Sequence, residues 1–230
     1  MIRIWESIKK GYLRLIEPVA ALLIRHRVSP NVLTTVGTLF TVAGGVAFAT
    51  GHIRTAGWIV GLTAIFDVLD GTVARRTGQA TVFGAFYDST LDRVADGALL
   101  GGIAWYFATD PVYHSLPMLG VTLFGIVGTF LVSYARARAE GLGLDAKVGV
   151  MQRAERVVLI SAPQAFFGLA LNGWVFAAVV ILLAVTAWIT VVQRVLFVRR
   201  TALTNVATPL RVASEKSPSP AQTAPRRAHS

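Results

Sequence analysis

The chain of 230 residues has no cysteine, only four histidines, and only 12 acidic side chains against 22 lysines and arginines. Without cysteine there is no disulfide framework and no thiolate metal site, and the redox compartment stays open. No Gly-Lys-Ser phosphate loop is present, which argues against a nucleoside-triphosphate pump. The N-terminus, MIRIWESIKKGYLRLIEP, lacks an uninterrupted apolar core ahead of its charges, so no cleavable signal peptide is expected. Charged residues make up 15% of the chain and hydrophobic ones 54%, with a mean hydropathy of +0.60. That is too apolar for an ordinary soluble domain, and the length suits a single domain.

What is there is a series of six apolar segments, at about 32–52, 57–77, 82–108, 115–139, 154–171 and 173–197. Each is near the ~20 residues a helix needs to cross a bilayer. Residues 2–24 place Ile4, Trp5, Ile8, Tyr12, Leu15 and Ile16 on one side of a basic helix, as in a helix lying in the membrane interface. Ser29-Pro30-Asn31 starts the first spanning helix and Leu171-Asn172-Gly173 forms a tight turn between the last two. From Thr201 onward Pro, Ser, Thr, Ala and Gln predominate, a composition for a disordered tail. The expected fold is an all-α integral membrane protein with six transmembrane helices, preceded by an amphipathic interfacial helix. Its domain covers 1–200, with the interfacial helix at 1–28 and the bundle at 30–200, and the tail covers 201–230. If the N-terminus is cytoplasmic, every Lys and Arg except Arg54 and Arg93 falls in the cytoplasmic parts. This positive-inside bias accounts for the basic charge, places both termini and the site at the cytoplasmic face of the cell membrane, and leaves no module for nucleic acid.

The scarce acidic residues are concentrated. Five of seven aspartates lie between Asp67 and Asp96. An ionisable side chain inside a span costs roughly 2.5 to 3.5 kcal/mol, so such groups face a cavity, a partner or an ion. Asp67 and Asp70 share one helix face, as do Asp88 and Asp92, because residues three or four apart are neighbours. Two such helices packed face to face gather four carboxylates that cannot all stay ionised without cations. All-oxygen ligation suits two Mg²⁺ ions, with Mn²⁺ as the alternative. Gly71 and Gly84 permit close approach, and Arg75, one turn past Gly71, supplies charge for a phosphate.

As a pattern the stretch reads D-x-x-D-G-x-x-A-R, eight residues, then G-x-x-x-D-x-x-x-D, which fixes eight residues over 26 positions. It resembles the signature of the CDP-alcohol phosphotransferase family. The resemblance covers about residues 20–200 and implies that an acceptor hydroxyl attacks the β-phosphate of a CDP-linked alcohol, usually CDP-diacylglycerol, and CMP leaves. By the same resemblance Asp67, Asp70, Asp88 and Asp92 bind metal, with Asp92 also the general base. The resemblance further implies that Asn31, Val32, Leu33, Thr34, Gly71, Arg75 and Thr81 contact the CDP-diacylglycerol, and that the protein is a homodimer among membrane lipid.

Arg136, Arg138, Lys147, Arg153 and Arg156 cluster between the fourth and fifth helices. A cluster beside a metal site suits an acceptor that carries a phosphate, while positive-inside topology and pairing with Glu140 and Glu155 explain it equally well. Y-x-R-A-R-A-E, a glycine-containing loop, R-x-E-R and a late Gln193-Arg194 look like the actinobacterial phosphatidylinositol phosphate synthase branch of the family. That implies inositol 1-phosphate as acceptor, its phosphate held by Arg136, Arg153, Arg156 and Arg194. Arg136 stands where the branch often has lysine, and Gln152 where it has an acidic residue. Two alternatives remain: phosphatidylglycerophosphate synthase or another family member with a different acceptor, and a divalent-cation transporter. Val36-Gly37-Thr38 lacks the arginine usual in the glycerophosphate enzymes, and the carboxylates gather near one face instead of tracing a path across the membrane.

Overall fold

The structure, a computed structural model, describes residues 17–204. Helix α1 occupies residues 17–25. The rest of the expected interfacial helix, and the tail beyond residue 204, lie outside the described residues. Six longer helices follow: α2 (Pro30–Ala49), α3 (Ile53–Thr77), α4 (Val82–Thr109), α5 (Leu116–Gly141), α6 (Arg153–Phe167) and α7 (Trp174–Thr204).

Local chemistry sets the boundaries. Pro30 occupies the first turn of α2 after an extended Ser29, where its missing N–H costs no hydrogen bond. Helix α3 stops at Gly78, which takes the left-handed conformation, and Arg75 and Arg76 lie in its last turn beside the free carbonyls. Thr81 caps α4 by accepting from the Gly84 N–H at 2.9 Å. The turn between α6 and α7 has Leu171, Asn172 and Gly173 all at positive φ, which closes it within a few residues. Two boundaries differ from the expected ones. Helix α6 ends at Phe167, ahead of residue 171, because Gly168 turns out of the helix at φ +56°. Helix α7 carries the chain through Thr204, so the first residues assigned to the tail are helical.

The six helices close a ring. Helix α2 packs on α3 and α4, α3 on α6, α6 on α7, α7 on α5, and α5 on α4; among the described residues no other pair of these six packs closely. The aspartate-bearing helices α3 and α4 therefore do not pack face to face as expected. Helix α2 wedges between them on one side, and α6, packed on α3, reaches α4 by side chain alone. The closest crossing is α2 on α4, where a Cβ on Gly102 would lie 2.0 Å from the Gly45 carbonyl oxygen. Backbones that near one another admit no side chain.

The apolar core fills one end of the ring. There Phe176 stacks on Phe48 and Phe107 with ring centroids 5.5 and 5.4 Å apart, and Tyr106 meets it edge-on at 5.7 Å. A smaller cluster of Ala20, Leu33, Leu69 and Val73 seals α1 against α2 and α3 near the other end. Outside, Phe40, Trp58, Leu62 and Trp105 are each half or more exposed, an apolar exterior that a bilayer covers and water does not. Helices α2, α3, α5 and α7 are long and apolar enough to span a membrane. Helix α4 is long enough but carries the site's charges, and α6, with 15 residues, is about 22 Å long at ~1.5 Å per residue, short of the ~30 Å core. These are the properties of an integral membrane protein.

Candidate active site

The site lies at the end of the ring opposite the aromatic core, where α2, α4 and α6 begin and α3 and α7 approach their ends. Asp70, nearly buried, is fixed by two donors: Thr34 Oγ1 at 2.9 Å from Oδ2 and its neighbour's amide, Gly71 N, at 2.5 Å from Oδ1. Thr34 Oγ1 also lies 3.1 Å from the Pro30 carbonyl oxygen, so one hydroxyl ties the start of α2 to the carboxylate of α3. Arg153, the first residue of α6, places Nη1 2.6 Å from Asp67 Oδ2 and 2.8 Å from Asp92 Oδ1. One guanidinium thus joins three helices. Arg93 Nη1 stands 3.9 Å from Asp92 Oδ2 while donating to the Ser89 carbonyl. Asp88 is exposed and has no hydrogen-bond partner among the described residues.

Four carboxylates and no imidazole or thiol make a donor set whose chemistry fits hard divalent cations. Their arrangement is not a ready-made ligand cage: among the described residues no three acidic or imidazole groups converge, and Arg153 stands between Asp67 and Asp92. A guanidinium there is itself a sign of how strongly this cluster favours a cation.

Two cavities flank the aspartates. The first, of about 220 Å³, is walled by Asn31, Thr34, Asp70, Gly71, Arg75, Thr81, Gly84 and Asp88 among others. Arg75 folds back over α3, its Nη1 3.1 Å from where a Cβ on Gly71 would stand, and it has no ion-pair partner among the described residues. Gly84 likewise leaves room beside Thr81 Oγ1 and Asn31 Oδ1. The second cavity, of about 300 Å³, is walled by Asp92, Asp96, Arg136, Lys147, Arg153, Arg156 and Arg194 among others. A wider groove between α4 and α5 has both Asp88 and Asp92 in its wall, so the two carboxylates stand where the spaces meet.

Five of the seven residues expected around the nucleotide, Asn31, Thr34, Gly71, Arg75 and Thr81, line the first cavity. Val32 and Leu33 do not. Val32 faces outward, half exposed, and Leu33 is buried in the small apolar cluster. Successive helical residues are turned about 100° apart, so of this run only Asn31 and Thr34, three apart, share the cavity face. All four arginines expected at the acceptor, Arg136, Arg153, Arg156 and Arg194, line the second cavity. Their donors are differently committed. Arg194 is buried and gives Nε to the Val148 carbonyl at 2.9 Å and Nη1 to the Val132 carbonyl, so it also holds the α5–α6 loop against α7. Arg136 pairs with Glu140 at 2.9 Å, one of the two pairings weighed from the sequence. The other does not form: Glu155 accepts from the Gln152 N–H at 2.8 Å and caps α6. Gln79 and Ser133 line the cavities without having been singled out. Asp96, which extends the Asp88 and Asp92 stripe by one turn and for which the sequence suggests a pairing with a buried arginine, lines the second cavity and meets Arg156 at 3.5 Å.

The phosphatidylinositol phosphate synthase of Streptomyces avermitilis is 38% identical over 216 residues, which span 90% of this chain and 87% of that protein. The archaetidylinositol phosphate synthase of Methanothermobacter thermautotrophicus is 36% identical over 185 residues, 80% of this chain and 89% of that one. The crystal structure of the Mycobacterium tuberculosis phosphatidylinositol phosphate synthase with CDP-diacylglycerol bound superposes with a TM-score of 0.73 at 34% identity, covering 80% of this chain and 94% of that one. The same enzyme in complex with manganese and citrate also gives 0.73, covering 80% and 88%. The model of the CDP-alcohol phosphatidyltransferase family matches residues 27–198. With that match laid over the aspartates, both cavities and the ring of helices, the chain belongs to the CDP-alcohol phosphatidyltransferase family.

Proposed function

We propose that this protein transfers the phosphatidyl group of CDP-diacylglycerol to a hydroxyl of inositol 1-phosphate, giving phosphatidylinositol phosphate and CMP. The observation that carries the reading is the meeting of two unlike cavities at Asp88 and Asp92. One is built of small and hydroxyl residues with a lone arginine. The other is rich in guanidinium groups.

Asn31, Thr34, Gly71 and Thr81 line the space for the cytidine diphosphate, and Arg75 meets its phosphate charge. Arg136, Arg153, Arg156 and Arg194 receive the phosphate of the acceptor, which leaves a ring hydroxyl near Asp92. Asp92 accepts the hydroxyl proton as the oxygen attacks the β-phosphorus, and the bond to CMP breaks. Asp67, Asp70, Asp88 and Asp92 would hold two Mg²⁺, which when bound neutralise the diphosphate and the leaving group. Support for inositol 1-phosphate comes from the guanidinium-rich cavity and from the likeness to phosphatidylinositol phosphate and archaetidylinositol phosphate synthases. In this reading the chain crosses the cell membrane six times as one domain, the short α6 completing its crossing through the turn at 168–173, the site faces the cytoplasm, and the protein works as a homodimer.

The test is CMP release by purified protein in detergent with CDP-diacylglycerol and Mg²⁺, comparing inositol 1-phosphate, glycerol 3-phosphate, free inositol and no acceptor. Release with inositol 1-phosphate alone is the expected result. Release with glycerol 3-phosphate instead would keep the chemistry and discard the acceptor.

A further inference from the structure

The mechanism leaves one buried carboxylate unused. Asp96 lies one turn beyond Asp92 on α4, and Arg156 lies three residues beyond Arg153 on α6, so the two helices face each other with two charge rungs. The upper rung is Arg153 with Asp92; the lower is Arg156 Nη2 with Asp96 Oδ2 at 3.5 Å. The lower rung is more deeply enclosed, its side chains 12% and 16% exposed. Directly beneath it lies an apolar void bordered by Leu99, Leu100, Ile160 and Leu183. Asp96 and Arg156 therefore form the floor of the guanidinium-rich cavity, the last polar layer above the hydrophobic core.

Arg156 differs from the other cations of that cavity. Arg136 is paired with Glu140, Lys147 with Asp145, and Arg194 with two backbone carbonyls. Arg156 has two donors, Nε and Nη1, buried without an acceptor, against one, Nε, on Arg153, and among the described residues Asp96 is its single salt-bridge partner. A buried guanidinium with unmet donors persists only where a counter-charge holds it, and an anion entering the cavity would supply the missing acceptor. Asp92 is the other carboxylate in the wall and already carries Arg153. Without Asp96, Arg156 would turn to Asp92 and compete for the group that must take the proton.

We infer that Asp96 is a positioning residue of the acceptor site: it holds Arg156 in the cavity floor for the acceptor phosphate and keeps that guanidinium off Asp92. This rests on the second cavity being the acceptor site.

Steady-state CMP release with inositol 1-phosphate and CDP-diacylglycerol varied in turn tests it, on Asp96→Asn, Arg156→Gln and the double variant. Asp96→Asn should raise the KM for inositol 1-phosphate roughly 10- to 100-fold, the scale of a lost charge-assisted contact, and leave the KM for CDP-diacylglycerol within about twofold. The double variant should be no worse than Arg156→Gln alone, because Asp96 acts through Arg156. Should Asp96→Asn fail to fold, a folded double variant would carry the same conclusion, since removing the orphaned charge removes the need for its partner. Losses that multiply in the double variant, a double variant that fails to fold, or an acceptor KM unmoved by Asp96→Asn would each overturn the inference. An acceptor KM unmoved by Arg156→Gln would instead overturn the acceptor cavity itself.

Discussion

Asp92 has two neighbours with opposite demands on it, the Arg153 guanidinium 2.8 Å from Oδ1 and the space beside Asp88 into which a reacting hydroxyl must come. Asparagine keeps the size and one hydrogen-bonding oxygen but cannot take a proton. Asp92→Asn should therefore cost about 10²- to 10⁴-fold in turnover, the usual yield of a positioned base, with the thermal melting profile in detergent retained. Undiminished turnover would remove Asp92 from the base role. That such a residue was legible in the sequence has a physical reason: the four carboxylates and Arg75 act at helical spacings of three and four, which sequence displays directly. The Arg153 bridge to Asp67 spans 86 positions and was not legible, because only tertiary folding brings α6 across both aspartate helices. Val32 and Leu33 lie off the cavity wall for the converse reason, that a helix distributes consecutive residues around its axis.

At the scale of elements, the glycines of α4 separate packing from propensity. A Cβ on Gly102 would fall 2.0 Å from the Gly45 carbonyl oxygen, whereas one on Gly101 meets nothing within 4 Å. Gly102→Ala should therefore destabilise the bundle by ~1–3 kcal/mol, the cost of overpacking, and lower the thermal midpoint in detergent. Gly101→Ala should leave the midpoint unchanged or raise it, since alanine is favoured over glycine by roughly 0.5–1 kcal/mol within a helix. Equal effects at the two positions would mean that α2 and α4 do not cross there. Apolar length located these helices well, yet it could not reveal their ring order. It also overestimated α6, whose continued apolar sequence past Phe167 is interrupted by the positive φ of Gly168. Charge needed at a site and hydropathy needed for a span pull against each other in α4, and a composition window registers only their difference.

At the scale of the molecule, the connections sort into two ends. The α2–α3, α4–α5 and α6–α7 turns meet at the aromatic end, where Gly51 approaches Asp110 and Gly173 approaches Tyr113. The α3–α4 and α5–α6 connections lie at the aspartate end with Thr81 and Val148. In the proposed orientation, which follows the positive-inside bias of lysine and arginine, the aspartate end faces the cytoplasm, where nucleotide-activated lipids and sugar phosphates are met. Because the chain contains no cysteine, a single introduced thiol reports its own location without background. His114→Cys, at the exposed aromatic-end turn, should react with a membrane-impermeant maleimide in intact cells. Asp145→Cys, exposed in the α5–α6 loop, should react only after the membrane is opened. The reverse labelling pattern would invert the protein and place the site away from its substrates, while labelling of both in intact cells would mean that the six helices do not alternate across the bilayer.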